Sequence, residues 1–215
     1  MKRILFISAH PDDMEIGMGG TAVKLVQAGH SVVSVVITDG RRSPDPDSIG
    51  PDAMAKMRKE EGENACRRLG INDTEFFGFE SIASKESAQE ATERLIQVIE
   101  RFQPDGVFTL HPELDRHSSH RAAGKITVDA LERSNDKADL WAYEVWGLFP
   151  QWDRLEDISE QLESKLAAIK EHRSQVAAID YDEGVAGLNR WRGVFADPHQ
   201  QTSPARYAEA FIRLR

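Results

Sequence analysis

Two kinds of apolar pattern alternate along the chain. Ile4–Ser8 and Ser31–Thr38 are short, almost unbroken runs of β-branched and large apolar residues, which predicts strands buried on both faces. Between them, Ala22, Leu25 and Val26 give Thr21–Ala28 a helical apolar face, closed by Gly29. The alternation continues. Helices are predicted over Ala53–Leu69 (ended by Gly70), Ala88–Phe102 and Ser119–Glu132, and strands over Glu75–Phe79, Gly106–Leu110 and Leu140–Leu148. Leu155–Gln175 reads as one long helix and Ala205–Leu214 as a final short one. Arg41–Pro51, rich in Pro, Asp, Ser and Gly, reads as a loop able to serve as a lid. The pattern predicts an α/β fold: a mostly parallel sheet with helices on both faces, in a single domain spanning 1–215.

Composition narrows the partners more than the fold. The net charge is −9 and no Lys/Arg stripe appears, which argues against nucleic acid or an anionic membrane as the main partner. No apolar run reaches the ~18 residues that span a bilayer. The opening Met1-Lys2-Arg3 and the apolar run after it end at once in His10-Pro11-Asp12-Asp13, so a first strand is the better reading than a signal peptide. The single cysteine, Cys66, excludes an intrachain disulfide and reads as a core residue; a cytoplasmic home fits. The oligomeric state stays open, a homo-oligomer included.

In parallel α/β sheets, sites form where loops leave the carboxyl ends of strands. Two such ends carry unusual chemistry here. In Ala9-His10-Pro11-Asp12-Asp13, adjacent carboxylates repel unless a cation or hydrogen-bond donors offset them. His10 and Asp13 form a mixed donor set that zinc accepts, leaving Asp12 free to act on a metal-bound water. The plainer alternative is that Asp12 or Asp13 caps the following helix. The second end, His111 to His120, holds three of the seven histidines. His117 and His120, three apart at a helix entry, can project to one side. Asp115 can accept a hydrogen bond from a histidine and raise its basicity. A catalytic zinc needs three protein ligands and an open position, which His10, Asp13 and His120 would supply. The His/His/Asp set also suits iron(II), cobalt(II) or manganese(II).

These residues resemble the LmbE-like (PIG-L) N-acetylglucosaminyl deacetylase family. The run Ala9 to Asp13 followed by Gly19-Gly20-Thr21 matches its first motif, and Asp115-Arg116-His117 with His120 its second. Ser119 stands where the family carries an aspartate. Arg58 and Glu61 resemble its R-x-x-E helix, Lys165 and His172–Gln175 its late H-x-S-Q stretch, and Tyr207–Phe211 its C-terminal end. The resemblance implies a Rossmann-like fold, zinc on His10, Asp13 and His120, Asp12 as general base and His117 as electrostatic partner of the oxyanion. It also implies a small N-acetylated amino-sugar substrate. With Ser119 in place of the aspartate, either His117 has an altered pKa or Asp115 substitutes.

Other residues invite two readings each. Arg58 is a candidate substrate contact or a solvated helical arginine paired with Glu60 or Glu61. Trp141, Tyr143, Trp146 and Phe149 could line a sugar site, although their alternation suits a core. His172 reads as a helix-surface or packing residue; His30 and His199 have no case beyond solvation. Gly17–Thr21 reads mainly as backbone built for close approach, with phosphate binding as the lesser reading. Two rival functions follow: a metal-dependent amidase acting on a non-sugar amide, and a nucleotide-binding α/β module without chemistry.

Overall fold

β1 (Arg3–Ser8) and β4 (Gly106–Leu110) are the central pair of a seven-stranded sheet, side by side and parallel, with Phe6 opposite Phe108. The computed structural model describes residues 1–45, 47–195 and 205–215. The remaining strands are β2 (Ser31–Thr38), β3 (Thr74–Phe79), β5 (Asp139–Tyr143), β6 (Arg154–Asp157) and β7 (Ala208–Arg213), in the order β3-β2-β1-β4-β5-β7-β6. The first five in chain order are parallel, and β7 lies antiparallel between β5 and β6. The helices are α1 (Asp13–Gln27), α2 (Pro51–Arg68), α3 (Lys85–Phe102), α4 (Ser118–Arg133), α5 (Leu162–Ile169), α6 (Arg173–Val176) and α7 (Tyr181–Val194). α3 packs on α4 over one face; α1, α5 and α2 pack together over the other. The runs Ile4–Ile7 and Val33–Ile37 lie in the core between them, Ser34 apart an apolar set, and Cys66 is a buried free thiol beside it. No helix among the described residues is long and apolar enough to cross a membrane.

The sheet and the central helices follow the sequence expectation, and the departures have local causes. α1 begins at Asp13, eight residues before the predicted Thr21, and kinks at Met18. Glycines lower helix propensity, but here contact demands them: a Cβ on Gly17 would lie 2.3 Å from the Tyr143 ring, and one on Gly20 2.6 Å from Ile158. The predicted long helix Leu155–Gln175 is instead β6, α5 and α6. Asp157 turns the chain by accepting from the backbone N–H of Ser159, and β6 pairs with β7. The predicted terminal helix is β7 itself: pairing on both edges outweighs the helix preference of Ala208-Glu209-Ala210. β5 ends at Tyr143, so residues 144–148 of the predicted strand form a loop. α7 had no counterpart in the sequence reading, and His199 lies outside the described residues.

Candidate metal centre and active site

The strand order reverses between β1 and β4, and both loops that leave this switch point carry the predicted chemistry. After β1, neither aspartate caps α1 through its side chain. Asp13 turns back instead, and its Oδ2 accepts the backbone N–H of His10 at 2.7 Å. Its Oδ1 lies 3.5 Å from His10 Nδ1 and 3.1 Å from His120 Nε2, and those two nitrogens are 3.0 Å apart. Three donor atoms thus form a triangle with edges of 3.0, 3.1 and 3.5 Å. Tetrahedral bonds of 2.0–2.1 Å require ligand atoms about 3.3 Å apart, so the donor set fits a zinc-sized ion. His117 also brings a ring nitrogen within 4.8 Å of those of His10 and His120.

His120 is wholly buried and Asp115 nearly so. Asp115 Oδ2 lies 3.1 Å from His120 Nδ1, off the line of a well-formed hydrogen bond. Burial disfavours charge on His120, but Asp13 and Asp115 outweigh it and raise its pKa to about 10. A proton there occupies the position between His120 and Asp13 that a cation would take. Asp115 does not reach the His117 ring; its Oδ1 accepts only the backbone N–H of His117. Ser119 fills that place, with Oγ 2.7 Å from His117 Nδ1 and 2.9 Å from His10 Nε2. Burial and the neighbouring His10 and His120 lower the pKa of His117, against the pull of Asp13 and Asp115. His111 stays outside the centre; its Nδ1 accepts the N–H groups of Glu113 and Leu114.

Asp12 and Arg58 form a buried pair. Arg58 is 2% exposed and donates to both Asp12 oxygens, at 2.9 and 3.5 Å, which corrects the solvated, Glu-paired reading. Its Nε has no partner, and Gly40 (φ +70°) leaves room for it, since a Cβ there would come within 2.9 Å. Burial alone would raise the Asp12 pKa; Arg58, with His172 and His10, outweighs burial and Asp13 and holds it below the ordinary value. His172, read from sequence as a surface or packing residue, is 1% exposed, with Nε2 3.7 Å from Glu15 Oε2.

His10, Asp12, Asp13, Arg58, His117 and Ser119 line a cavity of about 600 Å3. Trp146 and Tyr181 line it too, as do Ser43 and Pro44 of the predicted lid; Pro46 lies outside the described residues. Of the four aromatics in the predicted sugar-lining run, Trp146 alone lines this cavity, since Tyr143 and Phe149 are buried in the core. Sequence reasoning missed Tyr181, which belongs to no local pattern, and the role of Ser119, which depends on contact with the distant His10. The glycine-rich segment is not a free phosphate cradle: Glu209 accepts the N–H groups of Gly20 and Thr21, at 2.9 and 2.8 Å.

The family model described as PIG-L, GlcNAc-PI de-N-acetylase, matches residues 5–131. A diacetylchitobiose deacetylase of Thermococcus kodakarensis is 29% identical over 193 residues, covering 81% of this chain and 70% of its own. The structure of an N,N'-diacetylchitobiose deacetylase from Pyrococcus horikoshii matches with a TM-score of 0.85 at 26% identity, covering 99% of this chain and 84% of that one. GalB, a 4-carboxy-2-hydroxymuconate hydratase from Pseudomonas putida, shares the fold at a TM-score of 0.83 and 21% identity, covering 100% of this chain and 97% of its own. The fold alone therefore does not choose the reaction.

Proposed function

The chain belongs to the PIG-L (LmbE-like) family, and we propose that it is a zinc-dependent hydrolase that removes the acetyl group from an N-acetylated amino sugar of the N-acetylglucosamine type. Membership supports N-deacetylation. The donor triangle of His10, Asp13 and His120, with Asp12 lining the same cavity as His10 and Asp13, is the observation that carries the metal-dependent mechanism. Iron(II), cobalt(II) or manganese(II) suits the same donors.

His10, Asp13 and His120 would hold such an ion, which when bound would acidify water toward a pKa of about 7 and polarise a carbonyl oxygen. Asp12 accepts the proton of the attacking water. It is ionised at neutral pH because Arg58 lowers its pKa, and the same guanidinium fixes its orientation. The water oxygen bonds to the acyl carbon and the C–N bond breaks. Asp12 then returns the proton to the departing nitrogen, leaving acetate and a free amine.

The hydrogen bonds through Ser119 support a part for His117. When His10 Nδ1 serves as a ligand, its proton sits on Nε2 and is donated to Ser119 Oγ. The Ser119 hydroxyl then donates to His117 Nδ1. That leaves the His117 proton on Nε2, so a neutral ring donates to the acyl oxygen as it gains negative charge.

Calorimetric titration of chelator-stripped protein with zinc tests this reading. We expect one tight site, lost in His120→Ala, and acetate release from N-acetylglucosamine or its dimer by the loaded protein. Absence of a zinc site would overturn it. Turnover confined to non-sugar amides would move the alternative amidase reading to the front. The nucleotide-module reading lacks free N–H groups at Gly20 and Thr21.

A further inference from the structure

The loop after β5 holds an exposed tryptophan unusually firmly. Trp146 is 39% exposed, yet its backbone is fixed on every side. The loop is closed at its base by Glu144, which accepts the N–H of Phe149, and by buried Arg192, which donates to both Glu144 oxygens and to the Phe149 carbonyl. At its tip, the N–H groups of Trp146 and Gly147 both donate to Asp115 Oδ2 at 3.2 Å, and Arg116 donates to the Trp146 carbonyl at 3.1 Å. Gly147 is required for this approach, because a Cβ there would lie 2.4 Å from the Leu114 carbonyl. The indole meets Tyr181 edge to face, with ring centroids 6.2 Å apart and planes at 85°. Tyr181 is backed in turn by the cluster of Ile16, Ile169 and Val185. Its hydroxyl end lies near enough to the catalytic carboxylates that, after burial, Asp12 is the largest influence raising its pKa to about 12. An apolar wall with rigid backing therefore stands beside the metal-centre residues in one cavity.

We propose that Trp146, held against Tyr181, is the platform on which the pyranose ring of the substrate stacks, and that it determines preference for cyclic amino sugars over acyclic amides. This deepens the deacetylase reading and rests on it. A pyranose presents one face of C–H groups that gains by leaving water against an aromatic ring, and a flexible acyclic amide offers no such face. A wall already ordered before binding gives up little freedom when the ring lands on it.

Two measurements on zinc-loaded protein separate the platform from the reaction. The first is steady-state acetate release from N-acetylglucosamine and from acyclic N-acetylethanolamine, by wild type, Trp146→Ala and Trp146→Phe. Trp146→Ala should raise KM for the sugar about ten-fold with kcat little changed. Discrimination between the two substrates should fall by a similar factor, and Trp146→Phe should restore most of it. Equal losses on both substrates, or an unchanged sugar KM, would overturn the platform while leaving the deacetylase intact. The second is tryptophan fluorescence during titration with N-acetylglucosamine, with Trp146→Phe isolating the signal of this indole. A Trp146 response without acetate release would leave a sugar-binding surface but remove the deacetylase reading and, with it, the substrate preference. Neither response nor release would remove both.

Discussion

Two of the regions in which the molecule buries charge treat it in opposite ways. Beside β7, Lys165 and Glu209 are both fully buried and face each other at 2.7 Å. Glu209 also accepts from the N–H groups of Gly20 and Thr21 and from the Thr21 hydroxyl. Both carboxylate oxygens are engaged and the pair is neutral, so the cluster fastens α1, α5 and β7 without calling for a ligand. Between β1 and β4, Asp13, His10 and His120 turn donor atoms toward one another. That group is satisfied by a proton or, better, by a divalent cation. Burial of charge thus does not by itself mark a site; a cluster of ligand atoms converging on one point that a proton or a cation can fill does.

The sharpest break in this comparison comes from removing one carboxylate on each side. Asp12→Ala should retain zinc yet lose about 10²–10⁴-fold in kcat, as expected for a missing general base; metal analysis beside acetate release checks it, and near-normal turnover would end the assignment. Glu209→Ala strands the Lys165 ammonium and should destabilise the fold by about 3–5 kcal/mol, read by denaturant unfolding. The surviving folded fraction should still bind zinc.

Smaller changes refine the open region. Ser119→Ala removes the link that sets the His117 proton and should lower kcat by about 10–100-fold while zinc stays bound. An unchanged kcat would show that His117 is oriented by other means. Taken per pH unit, the smallest effect is that of pH on metal affinity. The His120 pKa, ordinarily 6.5, is raised to about 10 in the folded chain. The stripped protein therefore gains stability from that proton below pH 6.5 and loses it as pH rises through about 10. A cation must displace the proton, so zinc should bind up to about ten-fold more tightly per pH unit across this range. Calorimetry at several pH values reads the slope, and a flat profile would contradict the shared proton.

The legible parts of the chain were those whose causes are local. β1, β2 and β4 announce themselves as apolar runs, and their ends carry His10, Asp12, Asp13, His117 and His120 within short motifs. β7 was misread because Ala-Glu-Ala favours a helix until two strands pair with it. Arg58 reveals its partner only once α2 folds over Asp12, 46 positions earlier. Ser119 looked like a lost aspartate; its bond to His117 is local, but its bond to His10 arises from contact between loops more than a hundred residues apart.

The Asp115 carboxylate, shared by the backbone of His117, the ring of His120 and the backbone of Trp146 and Gly147, ties two parts that a redesigner would treat as separate modules. Residues 111–120 and 144–149, with Arg192 beneath the loop, are coupled through these bonds. A graft that exchanges the aromatic loop to alter substrate choice, without the segment beneath it, would also disturb the support of a metal ligand. Diversification of this pocket by recombination should therefore succeed with paired segments and fail with single ones.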